Sequence, residues 1–561
     1  MTDWVSQLAD DVIAESERRA PGETIVCASG LSPSGPIHLG NLREVMTPHL
    51  VADEIRRRGL DCVHLLSWDD YDRFRKVPAG IDPSWAEHIG KPLTSVPAPP
   101  GSAYPNWAEH FKTPMISALA RLGVTYRGIS QTKQYTSGVY REQILHAMRE
   151  RDRIDAVLSR YRTKPKTQSK AHPKAKAMDA DEAAALEGSG AAEEEAGYYP
   201  YKPYCALCGR DLTTVTGYDD ETTELAYTCA CGYGETVRLA THDRGKLVWK
   251  VDWPMRWAYE GVVFEPSGVD HTSPGSSFEV GGHLVGEIFG GAQPIGPRYA
   301  FVGISGMAKM SSSKGGVPTP ADALEIMEAP LLRWMYARRK PAQSFKVAFD
   351  QEIQRLYDEW DALERKVTDG QALPADQLAH ARAVRTAEQP LESSARRVPY
   401  RMLASIADVT TGDEEQTLRI LRELDPAEPI TDLALVRPRL DRAQRWVATQ
   451  LPAEQRTTVR QEPDEELLSG LGEPQRESLR LLLDSLDAHW SLDGLTDLVY
   501  GVPKRQAGLP ADAKATPELK AAQREFFVLL YTLLVGRDTG PRLPTLLLAV
   551  GAGRVRKLLG A

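Results

Sequence analysis

The run from Cys27 to Asn41, CASGLSPSGPIHLGN, constrains the fold more than any other stretch of the chain. Thr24 to Ala28 read as a buried strand. A loop rich in Gly, Ser and Pro follows, and then Leu39, Leu42, Val45, Met46 and Leu50 recur at helical spacing. A strand passing through a tight loop into a helix aims free backbone N–H groups and the positive helix end at whatever sits above the turn, usually a phosphate. Gly35 and Gly40 let backbone and ligand approach closely. His38 stands at the helix start, where it can donate to a phosphate oxygen, and Asn41 lies three residues on along the same face.

A second stretch lies far along the chain. Gly306 to Gly315, GMAKMSSSKG, is a loop of small residues carrying Lys309 and Lys314. Lysines on a flexible Ser/Gly loop suit a mobile clamp that closes on a polyphosphate as charge develops.

Together these stretches resemble the HIGH and KMSKS motifs of class I aminoacyl-tRNA synthetases, here His38-Leu39-Gly40-Asn41 and Lys309-Met310-Ser311-Ser312-Ser313. Four further runs are similar to the class I lysyl-tRNA synthetases: Pro33-Ser34-Gly35, Ser67 to Arg73 (SWDDYDR), Asp252 to Trp257 (DWPMRW) and Gly268 to His271 (GVDH). The resemblance covers essentially the whole chain. It implies a lysine–tRNA ligase that takes ATP with Mg²⁺, L-lysine and tRNA(Lys), and neither DNA nor a membrane. It makes His38, Asn41, Lys309 and Lys314 the catalytic residues. ATP would be held by Pro33, Ser34, Gly35, His38, Gly40, Asn41, Lys309, Met310, Ser311, Ser312 and Ser313. Ser312 stands where many members carry the motif's second lysine, and Lys314 is the substitute for it. For lysine the resemblance implies Gly30, Ser32, His271 and a tryptophan, Trp249 with Trp253 as its rival.

An ammonium substrate asks for a carboxylate. Cys62 to Trp68 read as a second parallel strand, with Asp69 and Asp70 at its C-terminal end, where ligands bind in open α/β sheets. Capping and turn formation is the other role open to them. Asp270 and Glu279 compete for the same function. Leu247 to Val251 read as a strand, and Trp249, Trp253, Trp257 and Tyr259 form either core or an aromatic wall against the lysine stem.

Cys205 and Cys208, then Cys229 and Cys231, give two close pairs about twenty residues apart, the spacing of a zinc ribbon. With four thiolates and no open position the predicted Zn²⁺ is structural. In some relatives a second metal group precedes Trp107-Ala108-Glu109-His110. Here Pro99, Ala103 and Tyr104 take those places, so that site is expected to be missing and His110 to be structural.

The chain of 561 residues carries a net charge of −9, which argues against indiscriminate nucleic-acid binding but not against a local tRNA surface. No signal peptide is read at the start, and Phe526 to Val535 is too short to span a bilayer, so the expected location is cytoplasmic. The expected fold is α/β: a Rossmann-type doubly wound parallel sheet with a zinc-ribbon insertion, followed by an α-helical C-terminal domain. Residues 1–135 and 241–300 make the two halves of the catalytic domain. The connective insertion is 136–240, with a flexible linker at 165–197 and the ribbon at 198–237. Residues 301–365 hold the KMSKS loop and a stem-contact region, and 366–561 the helical anticodon-binding domain. Arginines along those helices, among them Arg401, Arg437 and Arg439, are candidates for phosphate contacts. Two other readings are a glutamyl-tRNA synthetase-like enzyme and an inactive tRNA-binding paralogue. The first would want an arginine beside the HIGH motif, and the intact His38, Asn41, Lys309 and Lys314 argue against the second.

Overall fold

The computed structural model describes residues 3–78, 80–161, 197–269, 275–305, 316–424, 427–514 and 516–560. They form two compact units. One comprises Met1–Asp322, Arg333–Val347 and Leu373–Leu391, the other Ala323–Leu332, Ala348–Ala372 and Glu392–Ala561.

The apolar run before the HIGH motif is strand β1 (Ile25–Leu31), and the second run is β2 (Cys62–Trp68). They pair in parallel, Ile25 opposite Cys62 through Leu31 opposite Trp68. β3 (Arg127–Ser130) adds to the far edge of β2, also in parallel. On the other side of β1, Phe264 bridges Cys27 in parallel and Ile295 bridges Phe264. Backbone bonds from Ala28 N to the Phe264 carbonyl (2.7 Å) and from Ile295 N to the Val263 carbonyl (2.8 Å) hold these two segments in place. The spatial order is therefore β3, β2, β1, the Phe264 segment and the Ile295 segment, and it reverses between β1 and the Phe264 segment. That is the order of a doubly wound sheet, and its ligand crevice lies at the reversal, beyond the C-terminal strand ends.

The helix after β1 runs Leu39–Arg57 and buries Leu39, Leu42, Val45, Met46 and Leu50, the periodic residues of the sequence. It continues through Pro48. The leading helix is Trp4–Arg19. One sequence expectation is corrected. Leu247 to Val251 is not a strand: Gly245–Leu247 is a short strand paired with Tyr201–Pro203, and Trp249 opens a helix, Trp249–Glu260. A short aromatic and aliphatic run fits either state by periodicity, and here helical packing of Val251, Met255 and Trp257 decides it. Arg298–Tyr299 pairs with Ser267–Gly268, and Val302–Ile304 pairs with Phe345–Val347.

Of the four cysteines, Cys229 ends a strand of an antiparallel sheet made of Thr213–Tyr218, Glu224–Cys229 and Gly234–Arg238; Cys231 lies in the turn that follows it, and Cys205 and Cys208 precede the sheet's first strand. Most of the linker expected at 165–197 lies outside the described residues. The second unit's described elements are helices, the longest being Pro517–Val535 and Glu352–Thr368. Within it Arg439, read as a candidate phosphate contact, is 2% exposed and bonds Glu328 (2.6 Å) and Asp361 (2.8 Å), so it staples helices instead. Among the described residues no helix is long and apolar enough to cross a membrane.

Candidate active site

The HIGH turn is built by its own capping. His38 is the N-cap of the Leu39–Arg57 helix; its Nδ1 accepts from Gly40 N at 3.0 Å, while its own backbone N–H donates to Asn41 Oδ1 at 3.1 Å. Such a reciprocal cap is worth about 1 kcal/mol. It also fixes the tautomer: with Nδ1 accepting, the ring proton sits on Nε2, where it is a donor. Burial pushes the ring's pKa down to about 4, so His38 works as a neutral donor at pH 7. The loop before it is held from outside. Trp107, fully buried between Phe74 and Phe111, donates its indole N–H to the Ser34 carbonyl at 3.0 Å.

Lys309, Met310, Ser311, Ser312, Ser313 and Lys314 lie outside the described residues, as do Asp270 and His271. The flanks of positions 306–315 are described. Ser305 N bonds the Val347 carbonyl at 3.0 Å, and Leu39 N, next to His38, bonds the Pro318 carbonyl at 3.3 Å. Buried Arg43, on the HIGH helix, reaches the carbonyls of Ala300 (3.1 Å), Lys340 (2.7 Å) and Gln343 (2.7 Å).

The acidic pair after β2 separates into two roles. Asp70 takes Thr132 N (2.8 Å), Ser130 Oγ (2.7 Å) and Lys112 Nζ (3.5 Å), which occupies both oxygens in capping the Gln131–Thr136 helix. It leaves the lysine site as a structural residue. Asp69 Oδ1 is bonded by Arg256 at 2.8 Å, whereas Oδ2 faces Gly30, where a Cβ would stand 3.7 Å from it. Burial raises its carboxyl to about 6 against the pull of Arg256. Arg256 is held in turn by Asp252 at 3.1 Å and stacks over Trp249 at 5.4 Å. Lys246 bonds Asp72 at 2.6 Å on the same floor. Glu279 accepts from Gly275 N at 2.8 Å, in the turn before its own helix.

Trp249, Trp253 and Trp257 stack one on the next, with ring centroids 5.2 and 4.7 Å apart. Trp249 is the half-exposed end of this wall; Trp253 is buried and donates to Glu265 Oε1 at 3.1 Å, while Trp257 donates to Oε2 at 2.5 Å.

One pair escaped the sequence reading. Glu44, on the HIGH helix, has Oε2 3.1 Å from the Tyr299 hydroxyl. Burial pushes its carboxyl up to about 8, and the charges of Glu265 and Asp69 push the same way, against hydrogen bonds from Tyr299 and the Gly30 backbone. Among the described residues neither Glu44 nor Glu265 forms an ion pair with Lys or Arg. The signal was present: Glu44 follows Asn41 by three residues, and so shares a helix face with it.

In the ribbon, the Sγ atoms of Cys205 and Cys231 are 3.7 Å apart, those of Cys208 and Cys229 also 3.7 Å, and all four lie within 4.8 Å of one another. Tetrahedral thiolates about 2.3 Å from a zinc ion stand roughly 3.8 Å apart, so the cluster fits that metal. Gly209 and Gly232 turn the two knuckles at φ of 72° and 89°. His110 pairs its Nδ1 with Ser102 Oγ at 2.8 Å.

A doubly wound sheet whose first crossover carries a capped His-Leu-Gly-Asn turn is the catalytic fold of class I aminoacyl-tRNA synthetases. Residues 2–389 match the family described as tRNA synthetases class I (K). The whole chain is 71% identical to a protein of Streptomyces coelicolor named lysine–tRNA ligase, covering 98% of it. It is 32% identical to proteins of the same name from Thermococcus kodakarensis, with all of this chain and 99% of that one aligned, and from Treponema pallidum, with 99% and 98% aligned. The chain belongs to the class I lysyl-tRNA synthetase family.

Proposed function

We propose that this chain is a lysine–tRNA ligase that activates L-lysine with ATP and esterifies it to the 3′ end of tRNA(Lys). The observation that carries the reading is the 71% identity, end to end, with a relative of that name. The geometry supports it. ATP lies across the crevice, its phosphates over the HIGH turn. The neutral His38 Nε2–H and the Asn41 side-chain amide donate to phosphate oxygens as charge builds on them, and Lys309 and Lys314 hold the departing pyrophosphate. Pro33, Ser34, Gly35 and Gly40 supply close backbone. The lysine α-ammonium goes to Asp69 Oδ2 above Gly30, beside Ser32. The side-chain ammonium goes to Glu44 and the Tyr299 hydroxyl, with the stem along Trp249.

A lysine carboxylate oxygen attacks the α-phosphorus. The bond from that phosphorus to the β-phosphate oxygen breaks, and pyrophosphate leaves with its electron pair. The terminal adenosine hydroxyl of tRNA then attacks the adenylate carbonyl, and AMP leaves. Catalysis is positioning and charge stabilisation, with no covalent protein intermediate. Mg²⁺ accompanies ATP and neutralises phosphate charge. Cys205, Cys208, Cys229 and Cys231 hold a structural Zn²⁺. A cleft of about 680 Å³ in the second unit, lined by Arg401, Trp446, Tyr531 and Arg542, offers cations and rings to RNA. We place the work in the cytoplasm, with tRNA. A glutamate side chain would bring a further carboxylate beside Glu44 and Glu265, neither of which is bonded by a cation among the described residues, which disfavours glutamyl charging.

The test is charging of total tRNA with lysine against glutamate, beside ATP–pyrophosphate exchange with and without tRNA. Lysyl-tRNA is the expected product, with exchange dependent on tRNA. Glutamyl-tRNA, or no product with tRNA still bound, overturns the reading.

A further inference from the structure

We propose that Glu265, clamped between the indoles of Trp253 and Trp257, is a specificity-determining residue: it loads the substrate pocket with negative charge that no cation among the described residues bonds, so that only an amino acid with a cationic side chain completes the site. This rests on placing the lysine ammonium at Glu44 and deepens that reading.

Three observations carry it. First, Glu265 is 7% exposed, yet both its oxygens are bonded by neutral donors, the two indole N–H groups, rather than by a cation. A buried carboxylate normally has a charged partner. Arg256, the nearest guanidinium by sequence, is bonded to Ser67, Asp69 and Asp252 instead. Second, Glu265 lies on the segment that meets β1 at the reversal of strand order, its N–H bonded to the Ile295 carbonyl at 3.0 Å. Three residues on, Gly268 stands in register with Tyr299, the hydroxyl that bonds Glu44. That short parallel pair ties the strand carrying Tyr299 to the segment that begins with Glu265, and the Glu265 charge acts on Glu44. Third, the charges facing this space are unbalanced. Glu265 and Asp69 push the protonation of Glu44 upward, and Asp69 pushes that of Glu265; Arg256 opposes the rise at Asp69 and Glu265, Lys246 also pulls Asp69 down, and Asp72 and Asp252 push it up. Among the described residues Tyr299 and the Gly30 backbone hydrogen-bond Glu44.

The indoles hold the charge without cancelling it. Burial pushes the Glu265 carboxyl upward; the two N–H bonds counter that rise and favour the ionised form, and the rings exclude water that would screen its field. Glu265 therefore acts on the bound ammonium through space, and also on Glu44. The two effects have opposite signs, which gives the test its signature.

The experiment uses the full chain with Glu265→Gln, which removes the charge at nearly constant shape. Lysine-dependent charging is measured from pH 6 to 9, with norleucine, the neutral analogue of the lysine stem, as competitive inhibitor. Above the acidic limb of the profile, kcat/KM for lysine should fall about tenfold, the equivalent of one pKa unit. The limb itself should move to lower pH, because Glu44 loses a repelling neighbour. Inhibition by norleucine should change less than about twofold. Equal losses for lysine and norleucine with an unmoved limb would mean that Glu265 only packs the wall, and the inference falls. Should Glu265→Gln fail to fold, Trp253→Phe removes one donor, favours protonation of Glu265, and must give the same signature in weaker form. Glu44→Gln separates the two readings. If it leaves lysine selectivity intact, the ammonium is elsewhere and the placement fails; if it abolishes selectivity while Glu265→Gln changes nothing, the inference alone fails.

Discussion

Glu44 Oε2 lies 3.1 Å from the Tyr299 hydroxyl, joining the HIGH helix to a strand 255 residues further along. With its carboxyl pushed up to about 8 by burial, Glu44 is mostly protonated at pH 7 in the free enzyme. An ammonium beside it favours the ionised form, so lysine binding must expel a proton. Calorimetry at pH 7 in buffers of different ionisation enthalpy should register release of close to one proton per lysine. By the same sign, kcat/KM for lysine should climb with pH up to about 8. Tyr299→Phe removes a bond to a charged group, worth about 1.5–3 kcal/mol, and should lower kcat/KM for lysine roughly 10–100-fold. Heats independent of the buffer would remove Glu44 from the pocket.

His38 combines a cap and a donor, and the two can be separated. His38→Asn keeps an N-cap oxygen for the helix and loses the Nε2–H, so the melting temperature should hold while the rate of adenylate formation falls about 10²–10³-fold. His38→Ala should lose both. Because the ring is already neutral far below pH 6.5, with its pKa near 4, the wild-type rate should show no histidine limb between pH 6 and 7.

Trp107 fixes the loop from 73 residues away, through the Ser34 carbonyl. Trp107→Phe retains the packing on Phe74 and Phe111 and leaves that carbonyl without its donor, at a cost of about 1–3 kcal/mol. We expect KM for ATP to rise about tenfold with KM for lysine little changed. An unaltered ATP KM would show that water holds the loop equally well.

What could be read from sequence was local. Periodicity located β1, β2 and the HIGH helix, and cysteine spacing located four thiols that converge within 4.8 Å. Charge pairing was not local. Asp69 and Asp70 have the same composition and position, yet one faces Gly30 and the other caps a helix, because their partners Arg256 and Lys112 arrive from distant segments. Trp249 was placed on a strand because an aromatic run carries no decisive period. Glu44 is not legible because a glutamate on a helix usually marks a solvated face, and what sets it apart, the Tyr299 hydroxyl that bonds it and the Glu265 charge that acts on it, comes from over 200 residues away.

The ribbon should bind one zinc ion per chain, with metal binding contributing roughly 10 kcal/mol or more to the folding of that segment at neutral pH. Its position matters to the site. Asp211 N bonds the Gly90 carbonyl at 2.8 Å, and Lys246, on the strand paired with Tyr201–Pro203, bonds Asp72 beside the substrate floor. Cys208→Ser should lose the metal by elemental analysis, lower the melting temperature, and raise KM for lysine more than KM for ATP. A variant that retains full zinc content would remove Cys208 from the ligand set.

The floor beneath the site carries two histidines that resist protonation. His64 Nε2 lies 2.9 Å from Ser29 Oγ, and His49 Nε2 accepts from the buried Arg333 at 3.0 Å. Burial pushes His64 down to about 3; burial and then the Arg333 charge push His49 well below the usual histidine range. In the unfolded chain both take protons near pH 6.5. Below that pH the unfolded state binds more protons than the native one, so stability is complete above about 6.5 and is lost as the pH falls toward 3. Each histidine contributes a slope approaching about 1.4 kcal/mol per pH unit in that window. His49→Gln keeps a polar group against Arg333 and cannot titrate. Urea unfolding at pH 7, 6 and 5 should show a smaller loss on acidification for the variant than for the wild type, even where its stability at pH 7 is lower. Parallel acid losses in the two proteins would place the sensitivity in the carboxylates instead.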